Sequence, residues 1–183
     1  MMWLAETKIF GQRARVMRMS YSGELSYEIN IGADWGLALW EHLVTVGKAH
    51  KLTVYGTEAM GALRIEKGHV THAEADGRMT AEDLGLGKMV SKKKDAIGVR
   101  ALRFAALNES GRKQLVGLIA NDAKASFPVG AQVTAENLGD TARPSLGHVT
   151  AYAYSHELGR TIALALLRNG RAMTGDQVYV VSP

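Results

Sequence analysis

The most constraining feature of this sequence is a change of texture at about residues 106–112. Before it, alternating runs are mixed with helical spacing. After the polar turn Asn108-Glu109-Ser110-Gly111, short apolar runs punctuated by Gly and Asn follow one another: Gln114 to Ala120, Gln132 to Ala135, Ser145 to Tyr154, Thr161 to Leu167 and Gln177 to Val181. Such runs, bounded by turn residues, predict strands. The chain is therefore expected to be α+β, with a mixed domain over 1–107 and an all-β module, a small barrel or sandwich, over 108–183.

Within the first part, Arg13 to Ser20 predicts a strand, and the Tyr21-Ser22-Gly23 turn leads into a second. There Leu25, Tyr27, Ile29 and Ile31 alternate with Glu24, Ser26, Glu28 and Asn30, the pattern of a half-buried strand in a hairpin. Asp34 is the expected cap of a helix whose Leu37, Trp40, Leu43, Val44 and Val46 would cover the sheet, ending near Gly47. Thr57 is the expected cap of a second helix that carries Met60, Leu63 and Arg64 and stops at Gly68. A short third helix is expected over about 98–107.

Composition closes off several kinds of chemistry. With 183 residues the chain is long enough for a real core. It has no cysteine, which removes disulfide scaffolds, thiol nucleophiles and cysteine-held metals. Its longest apolar runs fall well short of the ~20 residues that span a bilayer, and its first residues show no leader pattern, so no membrane role is expected and cytoplasm is the expected compartment. The net charge of +4 favours an anionic partner. The basic run Lys88, Lys92, Lys93 and Lys94 lacks the interleaved aromatics of a single-strand stacking surface, which argues against nucleic-acid readout.

Three groups of side chains invite chemistry. Glu24 and Glu28 lie on one strand face about 13 Å apart at ~3.3 Å per residue, too far for a glycosidase pair. Beside a glycine turn, however, Glu24 can accept two hydrogen bonds from an N–H/NH2 edge. Arg64 sits among partly apolar helical positions, either reaching over the core to a surface partner or forming a buried fork for a carboxylate. His69, His72, Glu74 and Asp76 include a His-x-x-His spacing, but Gly68 interrupts the helix before it, so a polar loop is expected in place of a metal site. No nucleophile elbow, phosphate loop or dinucleotide fingerprint is present.

The same residues carry a resemblance. Ser20-Tyr21-Ser22-Gly23-Glu24-Leu25-Ser26-Tyr27-Glu28-Ile29, then Tyr55-Gly56-Thr57-Glu58-Ala59-Met60 with Leu63-Arg64-Ile65-Glu66-Lys67-Gly68, and Ser91-Lys92-Lys93-Lys94-Asp95-Ala96-Ile97-Gly98, resemble the folate-binding aminomethyltransferase family, whose type member is the glycine-cleavage T-protein. Within it, the branch the chain looks most like is the carboxyl-terminal region of the α subunit of heterotetrameric sarcosine oxidase. That likeness extends through Gly111-Arg112-Lys113-Gln114-Leu115-Val116-Gly117-Leu118, Ser145-Leu146-Gly147-His148-Val149-Thr150 and Leu158-Gly159-Arg160-Thr161-Ile162-Ala163-Leu164-Ala165-Leu166. Ala96 and His156 depart from it, standing where relatives commonly carry an aromatic residue and Pro.

The resemblance implies part of the family's α+β folate-binding body followed by its carboxyl-terminal β-barrel. It implies tetrahydrofolate as the cofactor, with Glu24 on the pterin ring, Tyr21 beside it and Arg64 near the glutamyl carboxylate. The excess of positive charge fits a polyglutamylated folate. Glu66 is expected to be a structural partner, and no residue is expected to be catalytic.

The implied activity, oxidative demethylation of sarcosine to glycine with one-carbon transfer to tetrahydrofolate, would belong to a whole complex. Its flavin and NAD lie on other regions or subunits, and its partners are the other sarcosine oxidase subunits or a preceding α+β half. That half carries other pterin contacts and, in the T-protein, the catalytic aspartate, so the chain is expected to be a fragment inactive by itself. The alternatives are a piece of a glycine-cleavage aminomethyltransferase, or a non-catalytic module that docks to partner subunits or RNA through its basic face.

Overall fold

The computed structural model describes residues 2–91, 93–137 and 144–181. Lys92 of the basic run therefore lies outside the described residues. The chain divides into two compact units, Met1–Arg64 and Ile65–Pro183.

The first unit is built on an antiparallel sheet of β1 (Trp3–Ile9), β2 (Gln12–Met19) and β3 (Ser26–Asn30), in that order. The β1–β2 connection is the two-residue turn Phe10-Gly11, with φ of 52° and 74°. Two positive φ values in a row give a turn whose twist matches that of the flanking strands. β2 and β3 form the expected hairpin, with Arg15 opposite Asn30 and Met19 opposite Ser26. α1 (Gly36–Gly47) follows a single 3-10 turn, Ala33–Trp35.

Two expectations for α1 are corrected here. Asp34 lies inside the 3-10 turn, which is closed by the Trp35 N–H donating to the Gly32 carbonyl, so its side chain caps nothing. The buried apolar side chain of the helix is Leu39, while Leu37 and Trp40, at 69% and 51% exposed, point to solvent. The hairpin tip explains which face turns inward: the Phe10 ring stacks at 6.0 Å on Trp35 and meets His42 edge-on at 5.5 Å. α2 (Thr57–Lys67) forms where a second helix was expected, but Thr57 is its first residue and not its cap, since the Met60 N–H donates to the Gly56 carbonyl. The helix ends at Gly68, whose φ of +76° and N–H donation to the Ile65 carbonyl close it.

In the second unit, β4 (Lys113–Ile119), β5 (Gln132–Thr134), β6 (Gly147–Ser155), β7 (Arg160–Arg168) and β8 (Tyr179–Val181) form an antiparallel sheet in the order β4-β7-β6-β5-β8. Among the described residues this sheet does not close into a ring. All five predicted strands are present. β7 is apolar at almost every position from Ile162 to Leu167 and is buried on both faces. Val133, Val149, Ala163, Ala165 and Leu167 share a core with Phe127 on one side, and Ile162, Leu164 and Ala151 pack with Ile65 on the other. Gly147 has to be glycine, because a Cβ there would run into the Leu166 carbonyl.

The segment from Ile65 to residue 107 belongs to this second unit. Where a helix was expected over 98–107, two separate 3-10 turns occur, Ala101–Arg103 and Ala105–Leu107. Phe104 between them is extended, with φ −65° and ψ 137°, which stops a continuous helix.

Candidate functional site

The loop joining β2 to β3, Ser20 to Leu25, is shaped by its own polar side chains. The Gly23 N–H donates to Ser20 Oγ at 3.1 Å, and the Ser26 hydroxyl donates to the Met19 carbonyl at the mouth of the loop. Gly23 has a φ of +101°, a conformation that glycine adopts without steric cost. This geometry sets Glu24 immediately after the bend, exposed, with Tyr21 at the other side of the same loop. Glu24 precedes β3 instead of lying within it, so it is detached from Glu28, which remains in the strand opposite Met17. The two carboxylates therefore do not form a pair on a regular strand.

Arg64 is on α2 and only 8% exposed. Of its two possible placements, the structure shows the buried one. Burying a guanidinium is costly unless its donors are satisfied, so this side chain is held in place instead of sweeping solvent. Tyr21 and Glu24 are thus brought together by one loop, and Arg64 is supplied separately by the last residue of the same compact unit.

The cluster His69, His72, Glu74 and Asp76 has a different use. No grouping suited to a metal occurs among the described residues. Glu74 is completely buried. One of its oxygens accepts from the Thr71 N–H at 2.8 Å and the Thr71 hydroxyl at 3.0 Å, and the other accepts from the Thr150 hydroxyl at 2.9 Å. Thr150 is the extra residue of a bulge in β6, so Glu74 pins the loop after α2 to the most buried hairpin of the sheet. Asp76 instead accepts from Arg78, which holds its carboxyl below the usual carboxylate range.

A second anchor follows. Asp83 accepts from the Thr80 N–H at 2.8 Å and from Arg112 Nε at 3.0 Å. Burial would push its carboxyl upward, but the Arg112 guanidinium and the Thr80 N–H and hydroxyl outweigh it and hold the group below its ordinary value. Arg112 also donates to the Arg78 carbonyl at 3.0 Å, which ties the segment before β4 to the 78–83 turn. Neither anchor was singled out from sequence, although Thr71-x-x-Glu74 and Thr80-x-x-Asp83 both carry the spacing by which a Thr and a carboxylate satisfy each other's backbone. Glu66 has the expected structural role, since the Ser155 hydroxyl donates to it at 2.6 Å.

Lys88 lies in an exposed 3-10 turn, and the Lys93 N–H donates to Ser91 Oγ. Among the described residues no helix is long and apolar enough to cross a membrane.

Comparison with known proteins covers nearly the whole chain. Residues 1–94 match the model of the GCVT N-terminal domain, and residues 113–182 match that of the glycine cleavage T-protein C-terminal barrel domain. The sarcosine oxidase subunit alpha of Rhizobium meliloti is 43% identical over 97% of this chain, and that of Corynebacterium sp. strain P-1 is 39% identical over 91%. In both cases the chain spans 18% of the relative's length. The aminomethyltransferase of Streptomyces coelicolor is 32% identical over 92% of this chain, which spans 45% of that protein.

Proposed function

This chain belongs to the glycine-cleavage T-protein family, and we propose that it is the tetrahydrofolate-binding portion of a sarcosine oxidase α-like subunit. Glu24 on the Ser20–Leu25 loop is the observation that carries the reading. An exposed carboxylate set just after a positive-φ glycine presents two acceptor oxygens to the solvent side of the hairpin. A 2-amino-4-oxo pterin offers N–H and NH2 donors side by side, the complement of those two oxygens. Tyr21, on the same loop, supplies an aromatic face and a hydroxyl next to the ring. Arg64, held by burial on α2, is suited to the glutamyl carboxylate of folate, because a guanidinium is a planar fork matched to that group.

The bound folate would accept the one-carbon unit released when a methylated amine is oxidised. This chain's own part is to bind and orient the pterin, and the oxidation of sarcosine to glycine, with its flavin and NAD, is assigned to other regions or subunits of a larger assembly. No residue is assigned a catalytic role. The greater identity to the two sarcosine oxidase subunits than to the aminomethyltransferase favours this branch over a glycine-cleavage enzyme. Activity with a lipoyl carrier would separate the two.

Calorimetric titration of the 183-residue chain with 5-formyltetrahydrofolate, beside pentaglutamate, tests the reading. Selective binding of the folate that disappears in Glu24→Ala supports it, and at ~100 times its dissociation constant the ligand should stabilise the fold by about 2.7 kcal/mol. Folate binding that survives Glu24→Ala unchanged, or that pentaglutamate matches, sinks the assignment.

A further inference from the structure

We propose that the cleft beside the last turn of α2, in the second unit, is a binding site for a small organic cation: an apolar ring or chain that carries a protonated amine or amidine. The cleft has a volume of about 330 Å³, within the range of small-molecule pockets. It exists because the sheet is left unfilled at one point. Leu115, Gly117 and Ile119 of β4 share one face, and Leu115 is covered by the cluster of Ile65, Ile162 and Leu164. Two residues further on, Gly117 has no side chain to continue that cover, and a Cβ added there would meet nothing within 4 Å. Ile119 and Leu158 then stand exposed at the cleft's edge.

The polar groups at this apolar floor are of one sign. Its charged lining residues are Glu66 and Glu157, in a chain whose net charge is +4. Glu66 is oriented in advance: the Ser155 hydroxyl donates to one of its oxygens, and Ser155, itself buried, accepts the Leu158 N–H at 3.2 Å. The second oxygen of Glu66 is left for a ligand. A protonated amine or amidine would make a charge-assisted hydrogen bond there while its apolar body covers Gly117. An anion would be repelled, and a neutral molecule of the same shape would gain only the apolar contact. Tyr21, Glu24 and Arg64 do not line this cleft, so the inference stands apart from the folate assignment.

The test is a titration of the 183-residue chain with benzamidine and with its neutral isostere benzamide, followed by NMR. Benzamidine is expected to bind at least about tenfold more tightly than benzamide, the worth of one charged hydrogen bond. Glu66→Gln should bring benzamidine down to the level of benzamide. Gly117→Val, a β-branched residue that a strand accepts, should fill the floor and abolish both. Should that variant lose its native circular dichroism, Leu158→Ala decides instead, since it trims an exposed wall and is expected to weaken both ligands several-fold. The proposal is overturned by no detectable benzamidine binding, by equal binding of the two ligands, or by benzamidine binding that Glu66→Gln or the wall variants leave unchanged.

Discussion

The two compact units differ most in what they bury. In Ile65–Pro183, β7 is buried along almost its entire length, and apolar side chains pack against both faces of the sheet. In Met1–Arg64, the buried apolar side chains are Ala14 and Leu39, while Trp3, Leu4, Leu25, Tyr27, Leu37 and Trp40 all remain exposed. Burial of apolar area is the main favourable term in folding, so the second unit has the means to hold itself together and the first has far less. The proposed pterin residues all belong to the first. The unit with the smaller buried core is the one that carries the proposed site.

The largest expected effects therefore lie in the second unit. Leu166→Ala removes a nearly inaccessible side chain from β7 and is expected to cost about 2–5 kcal/mol, read from urea unfolding. A loss under 1 kcal/mol would mean that this core is looser than its burial indicates. Next comes Glu74→Ala, which deprives the Thr71 N–H and hydroxyl of their acceptor and leaves the Thr150 hydroxyl only the Leu164 carbonyl. At about 1–3 kcal/mol for a buried polar group left unpaired, a cost of about 2–3 kcal/mol is expected. Local exchange of the 69–76 amides should rise with it, and slow exchange in the variant would show that the loop is held by something else.

Acid should act on the same unit, by two groups whose signs agree. The Asp83 carboxyl is held below its ordinary value of 3.8, so the stability it contributes is present above that pH and is lost as pH falls through the folded-state value. His148 is shifted downward from 6.5, chiefly by burial and then by the charges of Lys113 and Arg78, against the opposing pull of Asp76. Below 6.5 the unfolded chain therefore binds protons that the folded chain resists, and stability falls as pH drops. Unfolding free energy is expected to decline from pH 7 to 5 and again below 4. His148→Gln should flatten the first decline and Asp83→Asn the second; an unchanged profile in either variant would contradict the assignment.

The same contrast decides what was legible in the sequence. The β2–β3 hairpin and the five later strands were, because strict alternation and glycine punctuation are local properties that survive whatever packs on them. α2 was legible for the same reason, with Thr57 at one end and Gly68 at the other. β1 was not, since Trp3-Leu4-Ala5-Glu6-Thr7-Lys8-Ile9 puts apolar residues on both sides of the strand and so shows no clean period. The stretch 98–107 has helical spacing, yet extended Phe104 divides it. At the site, the position of Glu24 beside a glycine turn could be seen in the residues, whereas the burial of Arg64 depends on tertiary packing that no local pattern encodes. Glu74 was seen only as one of four metal-type residues, because its partner Thr150 is 76 residues away in the chain.

The smallest expected effect is the most discriminating, because it compares neighbours on one helix. Leu39 and Trp40 are adjacent in α1, one buried and the other half exposed. Leu39→Ala should cost about 2 kcal/mol or more by opening a cavity where the buried leucine stood. Trp40→Ser, although it removes the larger side chain, should change the stability of this chain by no more than about 0.5 kcal/mol, as exposed substitutions generally do. If Trp40→Ser proves as costly as Leu39→Ala, the outward face of α1 is covered and the contrast between the two units fails. If it is neutral here but costly in a longer relative with the equivalent helix, then that face is buried against the rest of the larger protein. The indole would then stabilise the larger protein instead of the unit that carries it.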